Sequence, residues 1–340
     1  RGDFMKEALI KSLVAMTFAA SAQAATLAII DSGTDMKHQE IAPYTWVNQK
    51  EIANNDRDED RNGYPDDIHG WNFAESNAEV IDYKYLGTLD DNIRRFFATQ
   101  TKMFYGTATK EDMDWLRAMV KDEVFLKKMG IYGNFMHGTH VGGIAIKGAT
   151  DSKLLAVKLI PTEVKLPGQE LHEANFISIK GLKMKLAKFA LGQLAKAQMT
   201  QMKEIAHYVD EHGVDVANGS FGTGFKQAVM IVNTVYKTVL KKDAPKEVAE
   251  ELAHHFMAKL IESGSDFVEA APKTLFVFAA GNDGMDNDAF PTSPTNVQAD
   301  NVISVAATMG RSQIASFSNY GIINVDVAAP GVAIRSAAPG

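Results

Sequence analysis

The sequence has 340 residues, of which 46% are hydrophobic, and it carries a formal net charge of −7 with no cysteine. This length fits one large α/β domain with insertions, or two small domains. The acidic balance argues against a nucleic-acid-binding protein, which needs a basic face, and the lack of cysteine excludes a disulfide framework and a thiol nucleophile. No apolar run is long enough to span a bilayer, so we expect no membrane segment.

Residues 5–24 have the three regions of a secretory signal peptide. Two lysines supply positive charge, an apolar stretch follows, and Ala22-Gln23-Ala24 forms a small-x-small cleavage site. We therefore expect a secreted protein, periplasmic or extracellular, whose mature chain begins at Ala25. Residues 1–4 precede the first methionine and are interpreted as translated leader.

Short apolar runs alternate with helical patterns along the rest of the chain. Residues 26–30 form the first run and predict a buried parallel strand. Four later runs share this character: 154–160, 214–217, 275–279 and 302–306. Helical patterns lie at 141–147, 180–212, 226–242 and 246–263. This alternation predicts an α/β fold with three αβα layers and a mainly parallel central sheet.

An acidic segment, residues 55–67, holds six carboxylates and two arginines. Asp58, Asp60 and Asn62 alternate, a glycine then permits a sharp turn, and Asp66 follows. Carboxylate and amide oxygens are the hard ligands that Ca²⁺ prefers. The spacing predicts a structural calcium loop with these four residues as ligands; a solvated acidic turn is the alternative.

Two segments depart from the alternation. Residues 74–136 contain no strong strand, and 90–100 and 110–128 have helical patterns rich in aromatic side chains. We predict a helical insertion beside the site. Residues 161–200, with two prolines and a lysine-rich helix, are interpreted as a second insertion.

Three polar side chains stand where an α/β sheet places its sites, near the carboxyl ends of strands. Asp31 ends the first strand, and its carboxylate can orient an imidazole or fill a turn. His137 opens a glycine-rich helix and can act as a general base, although its spacing to His140 also permits a metal pair. Asn282 follows the strand at 275–279, where its amide can donate to an oxyanion or belong to an ordinary turn.

These three motifs, in this order, resemble the subtilisin-like serine peptidases, the subtilase family. The matching blocks are Ile29–Thr34, His137–Gly143 and Phe278–Gly284, followed by Ala315–Gly321 and Val327–Gly331. The resemblance implies a subtilisin-like fold and an Asp-His-Ser triad in that chain order. By family spacing, the serine is expected about ten residues beyond Gly340.

The resemblance also assigns roles to residues. Asp31 is expected to hold His137, His137 to deprotonate the serine, and Asn282 to stabilise the oxyanion. The segment Ser220, Phe221 and Gly222 is expected to pair with an extended substrate and to form one wall of its P1 pocket, where P1 is the residue on the acyl side of the scissile bond. Ser220 itself lacks the context of a nucleophile.

The sequence thus predicts a secreted, calcium-stabilised serine endopeptidase that acts on polypeptides as a monomer. The 340 residues alone are expected to be inactive, because the nucleophile is not among them. The alternative is a non-catalytic pseudopeptidase, or a calcium-stabilised binding protein that uses the helical insertion. The residue at the nucleophile position distinguishes the two.

Overall fold

A computed structural model of the protein describes residues 24–149, 151–164 and 182–340. The predicted leader, nearly all of the predicted signal peptide and residues 165–181 of the second insertion lie outside the described residues. In the described part, eight strands form one sheet: β1 Thr26–Asp31, β2 Gly70–Asn72, β3 Lys153–Lys158, β4 Val216–Gly219, β5 Leu275–Ala279, β6 Val302–Met309, β7 Gln313–Ile314 and β8 Val327–Pro330. Six α-helices are described: α1 Asp91–Phe104, α2 Lys110–Met119, α3 Glu123–Ala145, α4 Leu182–Glu211, α5 Phe225–Leu240 and α6 Lys246–Glu269.

The sheet has the order β2-β3-β1-β4-β5-β6-β7, and β8 also pairs with β6. All of these pairings are parallel except that of β6 with β7. The first strand of the chain therefore lies in the middle, between β3 and β4. This position puts the residue that ends β1 at the centre of the carboxyl edge of the sheet.

Helices cover both faces of the sheet. Side chains alternate along a strand, so Ala28 and Ile30 of β1 join the core formed with α4, α5 and α6. Between them, Ile29 points to the opposite face, where Val141 and Ala145 of α3 pack. This is the predicted three-layer αβα fold with a mainly parallel sheet. No helix in the described part of the chain is both long and apolar enough to cross a membrane.

The helical segment between β2 and β3 differs in its boundaries from the sequence prediction. Thr109 and Asp112 form a reciprocal capping box that starts α2, and Asp122 caps the start of α3. The pattern at 110–128 is therefore two helices, broken at the new cap. The second of them, α3, runs unbroken for 23 residues through the histidine motif. His137 thus lies inside a long helix and not at its start.

The first part of this segment has a core of its own. Five buried side chains from α1, α2 and α3 form it: Ile93, Phe96, Leu116, Phe125 and Tyr132. Met136, one residue before His137, packs against this cluster. The helical insertion is thus a small packed unit that is continuous with the histidine helix.

Candidate active site

Asp31 and His137 meet at the carboxyl edge of the sheet. The Nδ1 atom of His137 lies 2.7 Å from Oδ1 of Asp31, although 106 positions separate the two residues in the sequence. Asp31 has no solvent-exposed surface. Its Oδ1 also accepts hydrogen bonds from the backbone N–H of Ser32 at 2.7 Å and from the Ser32 hydroxyl at 3.1 Å. These bonds fix the carboxylate that orients the imidazole.

A glycine allows the histidine helix to come this close. A Cβ atom at Gly138 would lie 2.3 Å from the carbonyl oxygen of Gly33, which no side chain could accept without a backbone shift. On the next residue, Thr139, the hydroxyl accepts the backbone N–H of Asp35 at 2.8 Å. The helix α3 is therefore seated directly on the turn that follows β1.

The environment of His137 favours its protonated form. Burial lowers the pKa of the imidazole, but the hydrogen bond to Asp31 and the charge of that carboxylate outweigh it, so the pKa is raised above 6.5. The side chain is 47% exposed. With Nδ1 engaged by Asp31, Nε2 is left to accept a proton from a nucleophile.

His140 has a different environment. Its Nε2 lies 3.2 Å from the carbonyl oxygen of Ile334, and burial lowers the pKa of the ring. The ring therefore connects α3 to the segment that follows β8. In the described part of the chain, the one group of three side chains that could hold a metal contains no histidine. The arrangement favours a structural role for His140 over a metal pair.

Asn282 lies in an exposed turn after β5, between two hollows. The larger hollow has a volume of about 660 Å³, and Ser220, Phe221 and Gly222 line it together with Asn282. The smaller has a volume of about 230 Å³ and lies at the carboxyl ends of β5 and β8, beside the middle of β6. The predicted substrate-binding segment and the predicted oxyanion residue thus border one cavity.

Ser220 forms a hydrogen bond within its own segment. Its hydroxyl accepts a hydrogen bond from the Asn218 side chain at 2.9 Å. That Ser220 is not a nucleophile stays a prediction.

Two features of this region were not predicted. Lys226, in the first turn of α5, donates to the backbone oxygen of Asp283 at 2.8 Å, and both residues line the larger hollow. Asn319 is buried, and its side-chain oxygen accepts the N–H groups of Asp283 and Met285 at 2.9 and 3.1 Å. It thereby holds the turn that carries Asn282. Its only sequence signal was its place in the block Ala315–Gly321.

The acidic loop brings two of the four predicted ligands together with a carboxylate that was not predicted. Glu51, Asp58 and Asp60 place one carboxylate oxygen each within 4.8 Å of one another. Glu51 is buried and accepts backbone N–H groups of Glu59, Asp60 and Asp66. It lies upstream of the alternating pattern, so spacing did not indicate it.

The other two predicted ligands make different contacts. The two carboxylate oxygens of Asp66 accept the N–H groups of Asn55 and Asp56 at 3.1 and 2.9 Å. The side-chain oxygen of Asn62 accepts the N–H of Tyr64 at 2.8 Å. Both side chains therefore shape the loop in this structure.

A buried aspartate connects the loop to the main core. Asp67 has no exposed surface and accepts hydrogen bonds from Asn48 at 2.7 Å, Asn62 at 3.1 Å and Tyr208 of α4 at 3.0 Å. Burial, followed by the charge of Asp67, raises the pKa of Tyr208 well above its usual value, so the phenol stays a donor. The loop is thus tied to the helix that covers the sheet.

Comparison with known proteins identifies the family of this chain. A model of the subtilase family of peptidases matches residues 22–339. The chain belongs to the subtilase family. No curated protein shows a significant match.

Several solved structures resemble this subtilase. A lanthipeptide protease is 15% identical with a TM-score of 0.42, covering 90% of this chain and 55% of that chain. The epidermin leader peptide processing serine protease of Staphylococcus aureus is 17% identical with a TM-score of 0.41, covering 92% and 53%. Fervidolysin from Fervidobacterium pennivorans, a keratinolytic enzyme related to subtilisin, is 16% identical with a TM-score of 0.41, covering 94% and 30%. The chain spans about half the length of the first two proteins.

Proposed function

We propose that the protein is a secreted serine endopeptidase that hydrolyses peptide bonds in polypeptides through an Asp31–His137–serine triad, with the serine C-terminal to Gly340. The observation that carries this proposal is the 2.7 Å contact between a buried carboxylate and an imidazole whose other nitrogen is left to act as a base. Family membership supports the serine as the third member.

The chemistry follows from these positions. His137 takes the proton of the serine hydroxyl through Nε2 while the serine oxygen attacks the carbonyl carbon of the scissile bond. Asp31 stabilises the imidazolium that forms, and the amide of Asn282 donates to the oxyanion. His137 then gives the proton to the leaving amine, and water hydrolyses the acyl-enzyme by the reverse sequence of proton transfers.

The surface near the smaller hollow supports a serine-bearing segment there. All four residues of β8 are exposed. The hollow beside it is lined mainly by apolar atoms of Val277, Phe278, Ala306 and Pro330. Such a surface can pack against a further apolar segment of the same chain. Because the serine is not among the 340 residues, these residues alone are expected to have no triad-dependent turnover.

The larger hollow supports the binding of an extended peptide. Its wall, Ser220 to Gly222, continues directly from β4. A strand that adds to this wall would place one of its side chains in the cavity and the next peptide bond near Asn282. Polypeptides are therefore the proposed substrates.

We also propose that calcium stabilises the acidic loop. Glu51, Asp58 and Asp60 would hold the ion, since their carboxylates converge and Ca²⁺ takes hard oxygen ligands. Backbone N–H groups already orient the three carboxylates, and each carboxylate keeps at least one oxygen with a second lone pair for the ion. A bound ion would neutralise the repulsion among the carboxylates and would take no part in peptide hydrolysis.

Labelling with a fluorophosphonate tests the triad in the full-length protein. Such a probe reacts with an activated serine, so His137→Ala should abolish labelling and the cleavage of unfolded casein, and Asp31→Asn should lower both by about 10⁴-fold. His207→Ala, at an exposed histidine of α4, is the control that should keep both. A full-length protein that folds and is neither labelled nor active would instead indicate the pseudopeptidase alternative.

A further inference from the structure

Asn319 forms hydrogen bonds with the residues on both sides of Asn282. Its backbone N–H donates to the carbonyl oxygen of Gly281 at 2.8 Å, one residue before Asn282. Its side-chain oxygen accepts the N–H of Asp283 at 2.9 Å, one residue after Asn282, and that of Met285 at 3.1 Å. Two fixed points thus flank the residue proposed to stabilise the oxyanion.

The close approach of Asn319 to this turn depends on a glycine. Gly281 has a φ of 113°, in the region that favours glycine. A Cβ atom there would lie 2.6 Å from Nδ2 of Asn319, which is too close for any side chain. The amide of Asn319 therefore lies directly against the backbone of the turn.

The orientation of the Asn319 amide is fixed at its other end. Its Nδ2 donates to Oδ1 of Asn287 at 3.0 Å and to Oγ1 of Thr292 at 3.3 Å. Thr292 also donates to Oδ1 of Asn287 at 3.1 Å, and Nδ2 of Asn287 donates to the carbonyl oxygen of Ala280, where the turn leaves β5, at 2.9 Å. All three side chains are buried. A reversed amide would point its own donors at the N–H groups of the turn, so only one orientation satisfies this network.

Asn319 can influence the reaction only through the turn. It is 1% exposed, and in the described part of the chain it lines neither of the two hollows. The side chain of Asn282, in contrast, makes no hydrogen bond of its own with the described residues. The backbone that Asn319 holds therefore determines where the Asn282 amide lies.

We propose that Asn319 is a positioning residue for peptide hydrolysis, which directs the Asn282 amide at the oxyanion by fixing the backbone on both sides of it. This inference rests on the proposed peptidase function. A donor stabilises a developing charge most when it is oriented in advance, because no reorganisation is then needed during the reaction. A displacement of about 1 Å can lower the rate about 100-fold.

Asn319→Leu tests the inference in the full-length protein. Leucine branches at the same carbon but forms none of the side-chain hydrogen bonds. It should lower kcat on a chromogenic peptide by about 10- to 100-fold and change KM by less than about twofold, since the oxyanion forms only in the transition state. Asn319→Asp keeps an oxygen that accepts the N–H groups of Asp283 and Met285. It should retain more of kcat, and it replaces the leucine variant if that variant does not fold.

A double-mutant cycle separates positioning from general support of the fold. If Asn319 acts through Asn282, Asn319→Leu should lower kcat by less than about twofold in a protein that already carries Asn282→Ala. A residue that only supports the fold would cause the same loss of kcat with and without Asn282→Ala.

Asn301→Leu is the matched control. Asn301 also connects separate parts of the chain, since its Nδ2 donates to the carbonyl oxygens of Val268, Ala271 and Thr274 at 3.1 to 3.2 Å. It directly precedes β6 and so lies at the amino edge of the sheet, opposite the site. Asn301→Leu should lower the melting temperature but leave kcat unchanged.

Three outcomes overturn the inference and leave the peptidase function intact. They are an equal loss of kcat with and without Asn282→Ala, a loss confined to KM, and an unchanged kcat in Asn319→Leu. A folded wild type that does not cleave the peptide refutes the proposed function, and the inference with it.

Discussion

His137 is held by a carboxylate that has no contact with solvent, and this sets the expected pH dependence. Only the neutral imidazole is a base, and its pKa is raised above 6.5. The kcat/KM of the full-length protein should therefore rise with pH through a midpoint above 6.5. The same shift makes protonated His137 stabilise the fold at pH below 6.5, and this contribution is lost as pH rises through the raised pKa.

Asp31→Asn tests whether the carboxylate of Asp31 raises the pKa of His137. Without the carboxylate charge, burial remains and lowers the pKa, so the acid limb of the pH profile should move to lower pH. The rate should fall about 10⁴-fold, the loss seen when the triad aspartate of other serine proteases is replaced by asparagine. Initial rates on a chromogenic peptide at a series of pH values measure both effects. If the acid limb of the pH profile did not move, Asp31 would not be the group that raises the pKa of His137.

Asn282 is expected to act only in the transition state. Asn282→Ala should lower kcat by about 10²- to 10³-fold with little change in KM, which is the effect known for the oxyanion asparagine of subtilisin itself. Asn296, a buried asparagine that donates to the backbone of Asn287, offers a comparison, since its replacement should affect stability and not kcat alone. A loss confined to KM would contradict the oxyanion role.

At the scale of elements, the packing of α3 on the turn after β1 determines whether Asp31 and His137, the proposed catalytic residues, meet. Gly138→Ala forces a Cβ against the carbonyl of Gly33 and should shift the helix. We expect a stability loss of about 1–3 kcal/mol, as for other overpacked sites, and a clear fall in kcat/KM. Urea denaturation and kinetics of the full-length protein measure the two effects.

Gly130 provides the control on the same helix. A Cβ there meets nothing within 4 Å, so Gly130→Ala should stabilise α3 by about 0.5–1 kcal/mol and leave catalysis unchanged. If Gly138→Ala and Gly130→Ala changed the stability in the same direction, close packing at Gly138 would not explain the effect of Gly138→Ala.

The boundaries of α3 show the limit of what sequence patterns predict. The glycine-rich motif predicted a helix that opens at His137. Packing on β1 and the Asp122 cap override this prediction in the fold. The five main parallel strands were predictable because each is a short apolar run. Glu51 and Asn319 were not, since their partners come from chain reversals that no local spacing records.

At the scale of the whole molecule, the acidic loop and the main core should unfold together. Asp67 joins the loop to Tyr208, which is part of the core of α4, α5 and α6. Calcium at about 100 times its Kd would therefore stabilise the entire fold by about 2.7 kcal/mol. Thermal unfolding with and without EDTA should show one transition that shifts by several degrees.

Two substitutions locate the ion. Glu51→Gln removes a converging carboxylate and should eliminate most of the calcium-dependent shift. Asp56→Asn removes an exposed charge in the same loop and should retain the shift. Equal shifts in both variants would indicate general screening of an acidic loop.

The central position of β1 also determines when this protein can fold. Its strand neighbours are β3 and β4, and β4 ends about 190 residues after β1. At a synthesis rate of about 5–20 residues per second, β1 leaves the ribosome about 10–40 seconds before its second partner exists. Until β3 is made its apolar side chains have no strand to pair with, and Asp31 has no histidine for the first 106 residues of that interval. We expect the exposed apolar side chains of β1 to make the partly synthesised chain prone to aggregation until β4 pairs with it.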